Sequence, residues 1–68
     1  MKPQTIDIYV HMRDKGPITP LVALEEYGCF RLPARIAEIK DMGVEVKDQW
    51  VTHVNQDGQI KRFKEYWI

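Results

Sequence analysis

The central pattern of the chain is a run of apolar residues at helical spacing that extends over Ile18–Val46 and is interrupted at Gly28. The apolar residues predicted to share one helical face are, before and after that glycine, Leu21, Leu24 and Tyr27, then Leu32, Ile36 and Ile39. Two short amphipathic helices joined by a turn of three or four residues with a glycine form a helix-turn-helix unit. The pattern therefore predicts helices over about Pro20–Tyr27 and Arg31–Met42, although any small α-helical hairpin would share it.

The ends of both helices carry recognisable signals. Thr19 precedes Pro20, so its hydroxyl can accept an unpaired backbone N–H at the start of the first helix. Pro33 falls in the first turn of the second helix, where no intrahelical donor is lost. On the first helix, the residues expected to point outward are Val22, Glu25 and Glu26. Such an acidic pair argues against close contact with a phosphate backbone along that face.

The N-terminal segment Gln4–Lys15 fits two patterns. Its apolar residues alternate as in a strand, but Ile8, Tyr9 and Met12 also share a helical face. We expect a helix, because two short helices need a third element to cover their apolar faces. Gly16 and Pro17 should end it, and Met1–Pro3 is expected to be a loose end.

After Gly43 the period changes to that of a β-hairpin. The residues that share one parity, and that we expect on a buried strand face, are Val44, Val46, Trp50, Thr52 and Val54. Asn55–Gly58 predicts a turn and Gln59–Ile68 the return strand. The apolar residues of that strand have mixed parity, which predicts a bulge or two covered faces. Ile18 could pair briefly with a later strand. Three helices followed by a hairpin predict an α+β fold, a winged helix-turn-helix.

Composition limits the classes of function. The 68 residues predict a single domain, 1–68, with ten basic and ten acidic side chains. Affinity for nucleic acid would then have to come from the distribution of charge, because net charge supplies none. No apolar run reaches the roughly 18 residues of a membrane span. The single cysteine, Cys29, excludes an internal disulfide, so we expect a protein of the reducing cytoplasm. Together with the missing apolar run, this predicts no membrane association.

The residues of Ile18–Val46 also resemble the small winged helix-turn-helix domain family common among phage and prophage genes. That family's pattern is roughly I-T-x-x-x-A-L, a glycine, R-L-x-x-R-I, then G-x-x-[IV]. The matching residues are Ile18, Thr19, Ala23, Leu24, Gly28, Arg31, Leu32, Arg35, Ile36, Gly43 and Val46, with a similar closing Tyr66-Trp67-Ile68. The resemblance implies a winged-helix fold and a DNA-binding or regulatory role in a bacterial host cytoplasm. Pro33 departs from the small or polar residue expected there.

The second helix of the unit offers few base-reading groups. Its outward positions are predicted to be Pro33, Ala34, Ala37, Glu38 and Asp41, with Arg31 at one edge and Arg35 nearer the core. Arg31 is the best candidate for a base or phosphate contact, and Glu38 could accept from a cytosine amine. Arg35 could contact DNA, pair with Glu38 or Asp41, or pack its stem against the hairpin. The backbone N–H of Thr19 could meet a phosphate, or Thr19 could only cap.

A second basic cluster, Lys61, Arg62 and Lys64, follows the hairpin turn. A wing with these residues could lie along the DNA backbone or enter the minor groove. Residues 61 and 62 point to opposite faces, so only part of the cluster can touch one surface. Lysines on an exposed edge strand also protect a sheet against aggregation, and both readings stay open.

The expected partner is double-stranded DNA, and two functional hypotheses follow. The first is a phage- or prophage-type DNA-binding protein, either a transcriptional regulator or an excision-type architectural factor. With so few cations, a monomer is expected to bind DNA weakly. We therefore expect either a homodimer, with Trp67 and Ile68 as candidate interface residues, or another partner. The alternative is an adaptor or inhibitor that binds a host protein. No catalytic residues, metal ligands or cofactor motif are evident, so we expect no enzyme and no cofactor.

Overall fold

Three helices precede an antiparallel hairpin in the computed structural model, which describes residues 3–68. The elements are α1 (Pro3–Asp14), α2 (Pro20–Tyr27), α3 (Leu32–Asp41), β1 (Lys47–Val54) and β2 (Ile60–Trp67). The predicted element order and fold class are confirmed. We refer to α1–α3 as the helical body and to the hairpin, β1 and β2 with their connecting turn, as the wing.

The start of α1 differs from the prediction. Pro3 was expected in a loose end, but it is the first residue of the helix, where its fixed φ is already helical and its missing N–H costs nothing. Met1 and Lys2, the rest of that predicted loose end, lie outside the described residues. The choice of helix over strand for the N-terminal segment is confirmed.

The ends of α2 follow from local chemistry, as predicted. The Thr19 hydroxyl accepts a hydrogen bond from the Val22 backbone N–H at 3.2 Å. At the other end Gly28 has φ +64°, a left-handed conformation that costs a residue with a Cβ roughly 1–2 kcal/mol. Its geometry lets the Cys29 N–H donate to the Ala23 carbonyl at 3.0 Å. The turn between α2 and α3 is thereby held in one conformation.

One core joins the three helices to the base of the wing. Its buried apolar residues are Ile8, Met12, Ile18, Ala23, Cys29, Leu32, Ile36, Ile39, Val46 and Tyr66. The predicted buried face of α3 is confirmed in all three of its residues. Ile18 also pairs with β2 as expected, exchanging two backbone hydrogen bonds with Tyr66 at 2.8 and 2.9 Å. This bridge attaches the wing to the segment before α2.

The predicted buried face of α2 is wrong in two residues. Ala23 is fully buried and Val22, expected outside, packs against the core together with Tyr27. Leu21 and Leu24 are instead 62% and 39% exposed. A methyl side chain at the point of closest approach lets α2 lie near the core, and its two leucines then border the wing.

The predicted buried strand face is confirmed only at the base of the hairpin, where Val46 is buried and Val44 packs against the core, and it is wrong along β1 itself. β1 and β2 pair one to one from Lys47↔Trp67 to Val54↔Ile60, so the ladder contains no bulge. Trp50 and Val54 are 66% and 60% exposed, Thr52 is also exposed, and Val51, of the opposite parity, is half-buried opposite Phe63. The wing contacts the body near its base, so most of β1 has no core to face. At the base of the wing, both faces of the sheet are covered, which was the other predicted option. Tyr66 is buried on one face, and Trp67 is half-buried on the other.

Candidate nucleic-acid interface

The outward face of α3 carries no hydrogen-bond donor for a base edge. Pro33 and Ala37 are exposed and Ala34 is half-buried, opposite the buried Leu32, Ile36 and Ile39. Asp41 is exposed at the C-terminal end of the helix. Guanine and adenine are normally read by arginine, lysine, asparagine or glutamine, so this face offers apolar contacts in their place.

Arg31 stands at the start of α3 with an exposed side chain. It occupies the N-cap position, and no side chain caps the helix there. Arg31 forms no ion pair with any residue in the described part of the chain. A cation at the positive end of a helix dipole is not stabilised by the helix itself. Its guanidinium is therefore available to an external anion.

Arg35 and Glu38 belong to a network that ties α3 to α1. The Arg35 Nη2 atom lies 3.2 Å from the Glu38 Oε1 atom, and the Arg35 side chain is 13% exposed. The hydroxyl of the fully buried Thr5 donates to the Glu38 Oε2 atom at 2.7 Å. The Arg35 Nε atom is buried with no hydrogen-bond partner. This geometry favours the structural reading of Arg35, and it occupies both carboxylate oxygens of Glu38; the DNA contacts of both residues stay predictions.

Thr19 has a capping role and lies beside a groove. Its hydroxyl caps α2, and its carbonyl accepts from the Ala23 N–H at 2.9 Å. A contact from its backbone N–H to a phosphate stays a prediction.

The three cations of the wing are divided between its two faces. Lys61 pairs with His53, whereas Arg62 pairs with Thr52 and Lys64 with Trp50 in the antiparallel register. Paired residues project on the same side of a sheet, so Lys61 projects on one side and Arg62 and Lys64 on the other, as the parity predicted.

Lys64 differs from the other two wing cations in having partners. Its Nζ atom lies 3.6 Å from the Asp48 Oδ1 atom and 5.3 Å from the centre of the Trp50 ring. Lys61 and Arg62 are exposed and form no ion pair within residues 3–68. Lys64 thus stabilises the wing locally, while Lys61 and Arg62 stay available to a partner.

The cations of α1 and its C-terminal end are engaged in ion pairs. Arg13 hydrogen-bonds Asp14 at 2.9 and 3.1 Å, and this bond lowers the pKa of the Asp14 carboxyl below its usual range. Lys15 lies 3.7 Å from Glu26 on α2. Arg31, Lys61 and Arg62 have no such internal neutralisation.

Sequence reasoning missed two exposed residues next to these candidates. Phe30 is 85% exposed between the buried Cys29 and the N-cap residue Arg31. Lys40, in the last turn of α3, is exposed and makes no ion pair with a described residue. The signal for Phe30 was present, because it lies in the turn and outside both helical faces. Lys40 lies between the inward and outward faces, so periodicity alone did not single it out.

A groove of about 560 Å³ lies between the N-terminal half of α2 and the wing. Its lining is Thr19, Pro20, Leu21, Leu24, His53, Asn55, Lys61, Arg62 and Phe63. The apolar lining comes mainly from α2, and the ionisable residues, all of them basic types, come from the wing. The displaced leucines of α2 therefore form one wall of an open apolar groove with a basic rim.

No metal site or membrane span occurs in the described part of the chain. Residues 3–68 contain no group of three His, Cys, Asp or Glu side chains arranged to hold a metal ion. None of their helices is long and apolar enough to cross a membrane. His11 is buried, with its Nδ1 atom 2.7 Å from the Tyr27 hydroxyl, while His53 is exposed on the wing. The two histidines lie in different elements, as the sequence indicated.

Comparison with known proteins agrees with this architecture. A family model described as "Winged helix-turn-helix domain" matches residues 3–68, which is nearly the whole chain. The chain therefore belongs to the winged helix-turn-helix domain family. A search of curated proteins found no match, and neither did a search of solved structures. Membership in this family suggests DNA binding, typically without enzymatic activity.

Proposed function

We propose that the domain binds double-stranded DNA through the N-terminal end of α3 and the wing. The observation that carries this proposal is the unpaired state of Arg31, Lys61 and Arg62 within the described chain, in a winged helix-turn-helix domain. Phosphate neutralisation supplies most of the non-specific affinity for DNA, and it requires cations that are not already paired. The cations of α1 and its C-terminal end do not meet that condition.

The finer role that we propose is that of a phage- or prophage-type protein. It would act in the cytoplasm of a bacterial host as a transcriptional regulator or as an excision-type architectural factor. The support is the resemblance of Ile18–Val46 to small domains of that kind. A protein with so few available cations binds DNA weakly as a monomer. A homodimer, or cooperative binding with a partner protein, would increase the number of phosphate contacts, and the half-exposed Ile68 could contribute to its interface.

Fluorescence anisotropy with mixed-sequence duplex DNA over a range of salt concentrations tests the proposal. We expect measurable binding at low salt that weakens as salt rises, with a log–log slope of about −0.9 per neutralised phosphate. Arg31→Ala should lower affinity and reduce the magnitude of that slope by about one, and so should either Lys61→Ala or Arg62→Ala, whichever removes the cation on the side of the wing that faces DNA. Arg13→Ala is the matched control, because Arg13 is also an exposed cation but already pairs with Asp14.

The control should bind DNA as the unchanged protein does. Absence of binding at low salt by folded protein would refute the proposal. Equal losses in all four variants would show a non-specific effect of net charge and would contradict the assigned interface.

A second function, a protein-binding adaptor or inhibitor, is favoured by the groove between α2 and the wing. Its exposed leucines and Phe63 give an apolar surface that DNA phosphates do not require. A partner pulled down from host lysate after nuclease treatment, and lost on Leu24→Glu but not on Arg31→Ala, would support this function. Retention of the same partner by the Leu24→Glu variant would contradict it.

A further inference from the structure

The outward surface of α3 carries apolar side chains and almost no hydrogen-bond donors. We define the α3 apolar surface as Phe30, Pro33, Ala34 and Ala37. The opposite side of the helix is also apolar, because Leu32, Ile36 and Ile39 are in the core. The outward side also carries Glu38 and Asp41, so its apolar part is the patch formed by Pro33, Ala34 and Ala37, with Phe30 in the preceding turn.

Phe30 is the most exposed of the large apolar residues in the described chain, and its position is well defined. Its neighbour Cys29 and the nearby Leu32 are 2% and 1% exposed, so the backbone on both sides is anchored in the core. The left-handed Gly28 fixes the preceding turn. The Phe30 side chain is thus presented to solvent from a constrained backbone at the start of α3.

The cations that border this surface lie near the two ends of α3, and the Glu38 carboxylate on the same outward side is held by Arg35 and Thr5. Arg31 and Lys40 lie near opposite ends of α3, are exposed, and form no ion pair with described residues. They are nine positions apart in the sequence, which corresponds to about 14 Å along a helix axis. A helix that lies in the major groove can bring cations at its two ends close to phosphates at two points along the groove.

Apolar side chains can read one feature of the major groove directly, the C5 methyl group of thymine. Alanine side chains are short, so the helix can approach the floor of the groove closely. We propose that the α3 apolar surface recognises thymine methyl groups, with Arg31 and Lys40 on the flanking phosphates. Asp41 follows one turn after Ala37 and marks the end of the apolar readout. The inference rests on the proposed DNA binding and specifies the class of site, one rich in A·T pairs.

Selection from a random duplex library supplies the probe for the test. The selected duplex is then resynthesised with deoxyuridine in place of each thymidine in turn, which removes only the methyl group. Full burial of one methyl is worth about 0.8 kcal/mol, so we expect about a fourfold loss of affinity at each contacted thymine. Phe30→Ala and Ala37→Ser should lower affinity for the thymine duplex and shrink the uracil penalty at the thymine that each contacts.

Leu21→Ala is the matched control, because Leu21 is an exposed apolar residue on α2 that lies outside the α3 apolar surface. This variant should retain the full penalty for uracil. Circular dichroism checks that each variant is folded.

The possible outcomes separate this inference from the function on which it rests. DNA binding with no effect of uracil at any position would overturn the inference and leave DNA binding intact. A penalty that is unchanged in both Phe30→Ala and Ala37→Ser would also overturn it. Failure of the folded protein to bind or enrich any duplex would refute the proposed function itself.

Discussion

The helical body and the wing differ in how their apolar residues are used. In the body, Ile8 and Ile39 have no exposed surface. In the wing, Trp50 and Ile60 are about two-thirds exposed, at 66% and 67%. Burial of apolar surface is the main stabilising contribution to a fold, so the body and the wing base supply most of the stability.

The outer part of the wing is held by local interactions in place of a core. Lys64 joins Asp48 and the Trp50 ring, and the Gln49 amide donates to the Glu65 carboxylate at 2.9 Å. Exposed pairs of this kind contribute little to global stability. The comparison indicates that residues of the wing surface can change to suit a partner without unfolding the domain.

The largest difference is expected between two isoleucine truncations, one in each region. Ile39→Ala should lower the free energy of unfolding by about 2–5 kcal/mol, because it leaves a cavity in the core. Ile60→Ala, on the exposed wing, should change it by less than about 0.5 kcal/mol. Urea denaturation followed by circular dichroism measures both. Equal destabilisation by the two variants would show that the wing surface is packed in solution.

A smaller loss is expected when the network between α1 and α3 is broken. Glu38→Ala removes the ion pair of the mostly buried Arg35 and the acceptor of the buried Thr5 hydroxyl. Leaving such groups unsatisfied should cost about 1–3 kcal/mol of unfolding free energy. The same urea titration applies, with Arg13→Ala as a control that should not shift the midpoint. A Glu38→Ala variant with wild-type stability but impaired DNA binding would favour the DNA-contact role of Glu38.

The smallest difference between the two regions is expected at two glycines, one in each region, that adopt similar left-handed backbone conformations. Gly28 and Gly58 have φ of +64° and +78°, and an added Cβ would meet no neighbouring atom at either position. Alanine should therefore cost about 1–2 kcal/mol of backbone strain at each site. For Gly28→Ala we expect a lower unfolding midpoint of the whole domain. For Gly58→Ala we expect faster amide hydrogen exchange near the turn, with less effect on α1–α3. A global effect of Gly58→Ala would contradict the independence of the wing tip.

Much of the fold could be predicted from the sequence because the relevant signals are local. The Thr19 cap, the glycine turn after Tyr27 and the Asn55–Gly58 turn depend on the conformational preferences of residues close together in the chain. The buried face of α3 was also predictable, since three large aliphatic side chains mark it. The shared membership in the winged helix-turn-helix family agrees with those signals.

The errors occurred where burial depends on distant elements. On α2, small Ala23 is buried and larger Leu21 is exposed, which contradicts a reading based on side-chain size. On β1, the alternating apolar residues Trp50 and Val54 gave a pattern typical of a half-buried strand, but that face is covered only at the base of the wing, beside Tyr66. Periodicity identifies the side on which apolar residues gather, and it does not show whether another element reaches that side.

The candidate site divides in the same way. The exposed Arg31, and the opposite directions of Lys61 and Arg62, follow from helix ends and strand parity. From the sequence, the ion pair of Arg35 with Glu38 was one of several options. In the structure, the Thr5 hydroxyl from α1 hydrogen-bonds the same Glu38 carboxylate and holds it in position for that pair. The separation of available cations from those already paired also required the tertiary structure, because ion pairs such as Lys15–Glu26 join different elements.

The sequence by itself determined the order of the elements, their caps and turns, and the core face of α3, because each depends on interactions within a few residues. Only the tertiary structure decided the orientation of α2, the exposed face of the wing and the groove between them. Those features depend on which surfaces meet across long separations in the chain. The α3 apolar surface lies between the two cases: its alanines were visible in the sequence, and its exposure beside Phe30 was decided by packing.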